Sequence, residues 1–125
     1  MKVLVLLLSL YTLALPAKLE LLVLGSGGPE LDGRASTSYV IFIDNKAKLI
    51  VDMGSGSMLG FEKSGARLED VDAVVLTHLH IDHSVDLPSY VKAGYFTSRS
   101  RSLPIIAPNG NKYFPSTDEY LENLF

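Results

Sequence analysis

The sequence predicts a single domain of the α/β class. Short apolar or β-branched runs bounded by turn residues alternate along the chain with segments whose apolar residues recur at helical spacing. The 125 residues suffice for one such domain and its core, but not for two. An apolar fraction of 47% and a charged fraction of 20% are typical of a globular protein.

The N-terminal segment is expected to be a secretory signal peptide. Lys2 supplies a positive charge, residues 3–15 are almost wholly apolar, and Pro16 and Ala17 form a small-residue end. The apolar run is shorter than the roughly 20 residues that span a bilayer. We therefore predict removal of residues 1–17, a domain over 19–125, no membrane anchor afterwards, and a periplasmic or secreted location. The alternative is a buried N-terminal strand or helix.

The first half of the domain is predicted to contain three strands and a helix. A strand over 19–24 ends at a glycine-rich turn, and strands over 36–44 and 49–51 flank a turn and form a hairpin. A short helix over 58–64 ends at Gly65, which is a common residue after a helix end.

The second half is predicted to alternate strand and helix twice. The predicted elements are a buried strand over 71–76, a helix over 87–96 with one apolar face (Leu87, Val91 and Tyr95), a strand over 103–107, and a last helix from Ser116. Ser116 and Glu119 form a capping box at the start of that helix. The apolar face of the last helix has no predicted partner, so we expect the chain to be truncated at its C-terminus within a larger fold.

Charge and cysteine content exclude some function classes. A formal net charge of −3 gives no long-range attraction for nucleic acid, so no nucleic-acid partner is expected. The absence of cysteine excludes disulfide scaffolds, thiolate zinc sites and a cysteine nucleophile.

The three histidines of the protein lie together in one short window after the predicted strand 71–76. His78 and His80 are two residues apart, so in an extended segment they project to the same side and can converge on one ion. Asp82 and His83 follow as the chain turns towards a helix, where they can serve a second ion. Imidazole and carboxylate are the usual ligands of zinc. The alternative is an exposed loop without metal, because burial of these groups without partners would be costly.

Residues 77–83 match the HxHxDH signature, and in this the chain resembles the metallo-β-lactamase-fold superfamily, within it the ribonuclease Z-like and arylsulfatase-like branch. The glycine loop 24–29, the segment 52–54 and the Leu87–Pro88 pair support the resemblance, which spans about residues 19–125. It implies the N-terminal half of an αββα sandwich.

The resemblance also implies roles for individual residues. His78 and His80 would bind the first metal, and Asp82 and His83 would bind the second. Asp52 would not bind metal itself, but would orient residues 77–83, called the ligand loop below, by hydrogen bonds to the metal-binding side chains. Two Zn²⁺ ions are expected in a complete protein, with iron and manganese as alternatives. Asp82 would also be catalytic, because it can orient the attacking water or receive its proton.

The chain departs from the family pattern in two respects. No histidine follows His83, so the remaining metal ligands of the family are absent from these 125 residues. Asp86 stands where ribonuclease Z proteins typically have glycine before the Leu-Pro pair, which argues against transfer-RNA processing.

Two further segments are candidate anion sites. Arg99 and Arg101 could hold an anionic substrate or form an ordinary solvated loop. The glycine–serine segment 54–57 could offer N–H groups to an anion, although a plain turn is favoured.

Taken together, these features predict an exported, metal-dependent hydrolase of small phosphodiesters or sulfate esters. The fold leaves an iron-dependent redox protein open, and truncation leaves a non-catalytic metal-binding fragment open. A homodimer is compatible with the sequence.

Overall fold

The computed structural model describes residues 16–125, which form one five-stranded sheet with helices. The predicted signal segment therefore lies almost wholly outside the described residues. The strands follow one another across the sheet in the order in which they occur along the chain. Their bounds are β1 Leu19–Gly25, β2 Ser38–Ile43, β3 Lys46–Val51, β4 Ala73–Val75 and β5 Ile105–Ile106.

The first three strands are antiparallel, whereas β4 and β5 are added in parallel. A two-residue turn joins β2 to β3, and both of its residues, Asp44 and Asn45, have positive φ angles of 50° and 62°. This backbone matches the twist of a hairpin and favours aspartate and asparagine. Parallel pairing requires longer connections, and helices supply them.

In the described part of the chain, four helices and a short 3-10 turn connect or follow the strands. The helices are α1 Ser57–Lys63, α2 Ile81–Ser84, α3 Leu87–Gly94 and α4 Thr117–Leu124, and the 3-10 turn covers Leu68–Asp70. The predicted capping box is present, with the Ser116 hydroxyl accepting from the Glu119 N–H and the Glu119 carboxylate accepting from the Ser116 N–H. The α/β class predicted from the sequence is confirmed. No helix within residues 16–125 combines the length and apolar character needed to traverse a lipid bilayer.

The core lies on one face of the sheet, beneath the helices. Alternate residues of the central strands are fully buried, including Val40, Ile50 and Val74, because successive strand side chains point to opposite faces. Helices α1 and α3 cover them with Phe61 and Tyr90, whose rings pack edge to face at 5.4 Å. This packing joins α1 to α3 over the buried face of the sheet.

The other face of the sheet is apolar and open at its β1 edge. Leu19, Leu21 and Val23 point outwards and are more than half exposed. Helix α4 differs from the expectation of an unpartnered face, because Tyr120, Leu121 and Leu124 pack against the edge of the core.

Helix α3 ends earlier than predicted. It stops at Gly94, so Tyr95 lies beyond its end and is 80% exposed. The buried positions of α3 are Leu87 and Tyr90 rather than the predicted stripe that included Tyr95. Apolar spacing alone did not reveal where the helical backbone ends.

Candidate metal centre

The histidine window leaves the end of β4 as an extended segment and then enters α2. His80, the residue before α2, has φ −62° and ψ 148° and so lies on extended backbone, and His78 lies two residues earlier in the same segment between β4 and α2. Asp82 and His83 lie within the single turn of α2. The change from extended to helical backbone therefore separates the four predicted ligands into two pairs, as the spacing predicted.

The first pair consists of two imidazole nitrogens. His78 Nε2 and His80 Nδ1 lie 3.1 Å apart, and the ring centroids are 4.6 Å apart. Two nitrogen ligands at ordinary zinc distances in a tetrahedral site are separated by about 3.3 Å. Burial, and then the neighbouring His83 and His80, lowers the pKa of His78. Its imidazole is therefore neutral at neutral pH, as a metal ligand must be.

The second pair consists of one carboxylate oxygen and one imidazole nitrogen. Asp82 Oδ2 lies 3.4 Å from His83 Nε2, again the separation of two neighbouring ligands. The two pairs are adjacent, because the His78 and His83 rings have centroids 4.0 Å apart. The structure thus places all four predicted ligands in one cluster.

The Asp52 carboxylate orients this cluster by hydrogen bonds. Its side chain is 1% exposed, and it follows β3 with a φ of 59°, a left-handed backbone that aspartate tolerates better than most residues. Asp52 Oδ2 accepts a hydrogen bond from His83 Nδ1 at 2.8 Å. That bond assigns the proton to Nδ1 and leaves His83 Nε2 with the lone pair that a metal requires. The predicted orienting role of Asp52 matches this geometry.

Thr77 is a residue of the site that sequence reasoning missed. Its backbone N–H donates to Asp52 Oδ1 at 2.7 Å, and its hydroxyl lies 2.8 Å from Asp52 Oδ2. Because that hydroxyl donates to the carboxylate, it can accept from His78 Nδ1, 3.1 Å away. Asp52 therefore orients His83 directly and His78 through Thr77. The available signal was a threonine directly before the first histidine.

The two donor pairs do not form a complete coordination site for a metal ion. Within residues 16–125, no group of three or more histidine, cysteine, aspartate or glutamate side chains is arranged to hold a metal ion. The donors present nevertheless fit a divalent ion in type and in pairwise spacing. A catalytic zinc ion takes three protein ligands, so each pair supplies only part of a coordination shell.

Gly54 lets the segment after β3 pass close to the ligand loop. A Cβ atom on Gly54 would overlap the carbonyl oxygen of Asp82 and lie 2.7 Å from Ser36 Cβ. A hydrogen bond also joins the two segments, because the Met53 N–H donates to the His83 carbonyl at 2.7 Å. Glycine is thus required at position 54, because the backbone of the ligand loop leaves no room for a side chain there.

Replacing Gly54 with alanine is expected to lower the free energy of unfolding by about 1–3 kcal/mol, because backbone atoms must shift to admit the methyl group. Urea denaturation of the metal-free protein measures the change. Gly94→Ala is the matched control, since its Cβ would meet only Leu68 Cδ2 at an ordinary 3.9 Å. Equal stability of the two variants would show that the close approach is not tight.

Asp86, the departure from the family pattern, has a structural role. Its Oδ2 accepts from the Met58 N–H at 3.0 Å and from the Ser57 hydroxyl at 3.3 Å, and so caps the start of α1. Its own N–H donates to the Met53 carbonyl at 2.9 Å. Asp86 therefore ties α1 to the end of the ligand loop. Within the segment 54–57, the Gly54 and Ser57 N–H groups donate to the Thr37 and Gly54 carbonyls, which agrees with the plain turn favoured for it.

A groove of about 510 Å³ opens beside Asp82. The glycine-rich loop after β1 forms one wall with Leu31 and Arg34, and Ile81 and Val85 of the ligand loop form the other. The Arg34 guanidinium is held by Asp32 and by the Ser26 carbonyl. The lining of the groove is largely apolar, and its charged side chains are of both signs, because Glu30 and Asp82 line it together with Arg34, which is paired with Asp32.

Arg99 and Arg101 do not contribute to this site. The Arg99 guanidinium donates to the carbonyls of Leu68 and Val71 at 2.8 and 2.7 Å, before β4, whereas the ligand loop follows β4. Arg101 binds the Val71 carbonyl and pairs with Asp72. Both arginines hold the segment that leads into β4, and neither is placed to contact a substrate at the histidine cluster.

Comparison with known proteins agrees with this geometry. Residues 31–119 match the model of the metallo-beta-lactamase superfamily, which is more than half of the chain and includes the whole ligand loop. The chain belongs to the metallo-beta-lactamase superfamily. The family resemblance inferred from the HxHxDH signature is thereby confirmed.

Relatives within the metallo-beta-lactamase superfamily include ribonuclease Z of Clostridium novyi, 30% identical over 90 residues, which are 72% of this chain and 29% of the relative. Ribonuclease Z of Mycolicibacterium gilvum is 30% identical over 109 residues, which are 85% of this chain and 36% of the relative. The ribonuclease Z-like branch was therefore predicted correctly. The chain spans about a third of the length of these relatives.

Solved structures of the superfamily share the fold. The short form of human tRNase Z superposes with a TM-score of 0.68 at 20% identity, covering 83% of this chain and 38% of the human protein. The metallo-beta-lactamase fold protein YhfI from Bacillus subtilis gives 0.63 at 25% identity, covering 86% and 42%.

The expectation that nucleic acid is excluded as a partner was wrong. It rested on the net charge of −3, whereas the relatives are ribonucleases. Net charge is a sum over the whole surface and does not describe the local field at a groove. Bound divalent ions would make that field far more positive than the side chains alone.

Proposed function

We propose that this chain carries part of the metal centre of a hydrolase that cleaves phosphodiester bonds in nucleic acid, with zinc as the metal. The observation that carries the proposal is the pairing of four donors at ligand spacing, His78 with His80 and Asp82 with His83, in a loop oriented by Asp52. The ribonuclease names of the relatives support nucleic acid as the substrate class. Nitrogen and oxygen donors without thiolate suit zinc.

The residues of the chain divide the work in this proposal. Divalent ions bound here would lower the pKa of water, so that a hydroxide nucleophile would form at neutral pH. They would also offset negative charge on the phosphodiester. His78, His80, Asp82 and His83 would hold them, and further ligands would come from outside residues 16–125. Asp82 also lines the groove, so its carboxylate can receive the proton that the attacking water loses. Asp52 and Thr77 fix the orientation of the His78 and His83 imidazoles.

The test uses the full-length protein, assayed for metal content and for hydrolysis. We expect zinc by elemental analysis, cleavage of a short RNA and of bis(p-nitrophenyl) phosphate, loss of both activities with a chelator, and recovery with zinc. p-Nitrophenyl sulfate in parallel tests the sulfate-ester alternative. Iron with a visible absorption band and no hydrolysis would instead identify a redox protein. A metal-free protein without activity after zinc addition would refute the proposal.

We further propose that the protein is exported and that residues 1–17 are removed. The support is the sequence pattern of a charged start, an apolar run and a small-residue end. N-terminal sequencing of the protein from fractionated cells is the measurement. A mature form that begins near Lys18 in the periplasm or medium is expected, and an intact N-terminus in the cytoplasm would contradict it.

A further inference from the structure

We propose that the segment after β5, residues 108–125, positions His80 for metal binding through two residues, Phe114 and Tyr120. This segment is remote in sequence from the ligand loop, and the function proposed above gives it no role. The inference rests on the assignment of His80 as a ligand in that proposed function.

The first contact reaches the His80 backbone through a buried serine. The Tyr120 hydroxyl donates to Ser84 Oγ at 3.1 Å, and Ser84 Oγ donates to the His80 carbonyl at 3.0 Å. Ser84 is 0% exposed, so water does not compete for these bonds. A hydroxyl that accepts one hydrogen bond while donating another is polarised by both, which strengthens the chain.

The His80 carbonyl is held from a second direction as well. The His83 N–H donates to it at 3.0 Å, at the start of α2. With Ser84, two donors therefore fix the peptide plane that follows His80. His80 has no side-chain cap at this helix start, so its imidazole remains available to face His78.

The second contact is made to the imidazole itself. The Phe114 ring lies against the His80 ring with centroids 5.1 Å apart and planes inclined by 57°. Asn111 holds the backbone at Phe114, because its Oδ1 accepts from the Tyr113 and Phe114 N–H groups at 2.8 and 3.2 Å. Phe114 thus limits the rotation of a ring that is otherwise exposed.

The two contacts make His80 dependent on the segment 108–125, in which Tyr120 belongs to α4 and Phe114 precedes it. Tyr120 and Leu121 pack against the core, so α4 is itself fixed in place. The hydrogen bond of the Tyr120 hydroxyl is to Ser84, and the ring contact of Phe114 is with His80 rather than with His83. Phe114 and Tyr120 are positioning residues for the first donor pair, and their loss should weaken that pair alone.

The test measures zinc affinity of the metal-free, full-length protein by chelator competition. We expect Ser84→Ala and Phe114→Leu to weaken one bound ion about tenfold, and Tyr120→Phe to weaken it about threefold. Tyr113→Phe is the matched control: it also removes a phenol hydroxyl from this segment, and Tyr113 is 80% exposed. Its affinity should stay within about twofold of the unaltered protein.

A second arm separates positioning from general destabilisation. In a His80→Ala background only the second pair remains, and there Tyr120→Phe and Phe114→Leu should leave the affinity of the remaining ion unchanged. An equal loss in that background would show a merely structural effect and overturn the inference. Unchanged affinity in all three single variants would also overturn it, while leaving the proposed function standing. If His80→Ala itself retains every ion, the proposed function fails instead.

Discussion

Replacing Asp52 with asparagine is expected to weaken metal binding at both donor pairs and to destabilise the fold. The Asp52 carboxylate accepts from the Thr77 N–H, the Thr77 hydroxyl and His83 Nδ1 in a buried setting. An amide NH₂ cannot accept, so one of these donors would face another donor without water to replace it. Leaving such a group unsatisfied costs about 2–3 kcal/mol of unfolding free energy.

The effect on metal should be larger than the effect on stability. Substitution of residues that orient metal ligands commonly reduces affinity about 10–100-fold. Asparagine tolerates the left-handed backbone at this position, so the variant isolates the carboxylate from the φ of 59°. Zinc affinity by chelator competition and urea denaturation are the two measurements.

The control for this variant is Asp72→Asn. Asp72 is an exposed carboxylate paired with Lys48 and Arg101 at the start of β4, away from the ligand loop. Surface pairs contribute little, so its zinc affinity should be unchanged and its stability nearly so. If Asp52→Asn bound two ions as tightly as Asp72→Asn, the network behind the ligands would have no function.

The sequence predicted which segments form strands and helices better than it predicted their ends. The hairpin turn at Asp44 and Asn45 was predictable, because few residues accept positive φ at two successive positions. The strand predicted over 71–76 pairs only at Ala73–Val75, although Val71 and Leu76 are buried as expected. An apolar run reports burial, whereas a strand end depends on where the neighbouring strand stops.

The four candidate ligands can be proposed from the sequence because they are adjacent in it, whereas most of the residues that orient them cannot. His78, His80, Asp82 and His83 form a local pattern with local chemistry. The role of Thr77 depends on Asp52, which is 25 residues away, and that of Ser84 depends on Tyr120, which is 36 residues away. Only the fold brings these partners together. Asp52 was identified through the family resemblance rather than through its own surroundings.

The excluded nucleic-acid partner illustrates a different limit. The charge of −3 is correct as a sum, but it does not describe the groove beside Asp82, which adjoins the ligand loop and is lined by both Arg34 and Glu30. A polyanion responds to the local field at the groove, which bound ions would dominate. The net charge therefore describes the surface as a whole and does not predict the electrostatic field at the site.

Replacing His80 with alanine is expected to remove one metal ion and nearly all hydrolysis while leaving a folded protein. His80 Nδ1 is half of the first donor pair, and its loss leaves that ion one ligand short of the three protein ligands that a catalytic zinc takes. Loss of the charge that an ion contributes costs several kcal/mol of transition-state stabilisation, which corresponds to about a thousandfold in kcat. His80 is exposed, so its removal leaves no core cavity.

The pattern of loss distinguishes this prediction from that for Asp52. His80→Ala should retain the ion at Asp82 and His83, because His83 keeps its bond to Asp52. Elemental analysis should therefore give one zinc per protein rather than two, with unfolding free energy close to that of the unaltered protein. Asp52→Asn should instead weaken both ions and lower stability. Two zinc ions in purified His80→Ala would mean that His80 is not a ligand, and the division of the loop into two donor pairs would be incorrect.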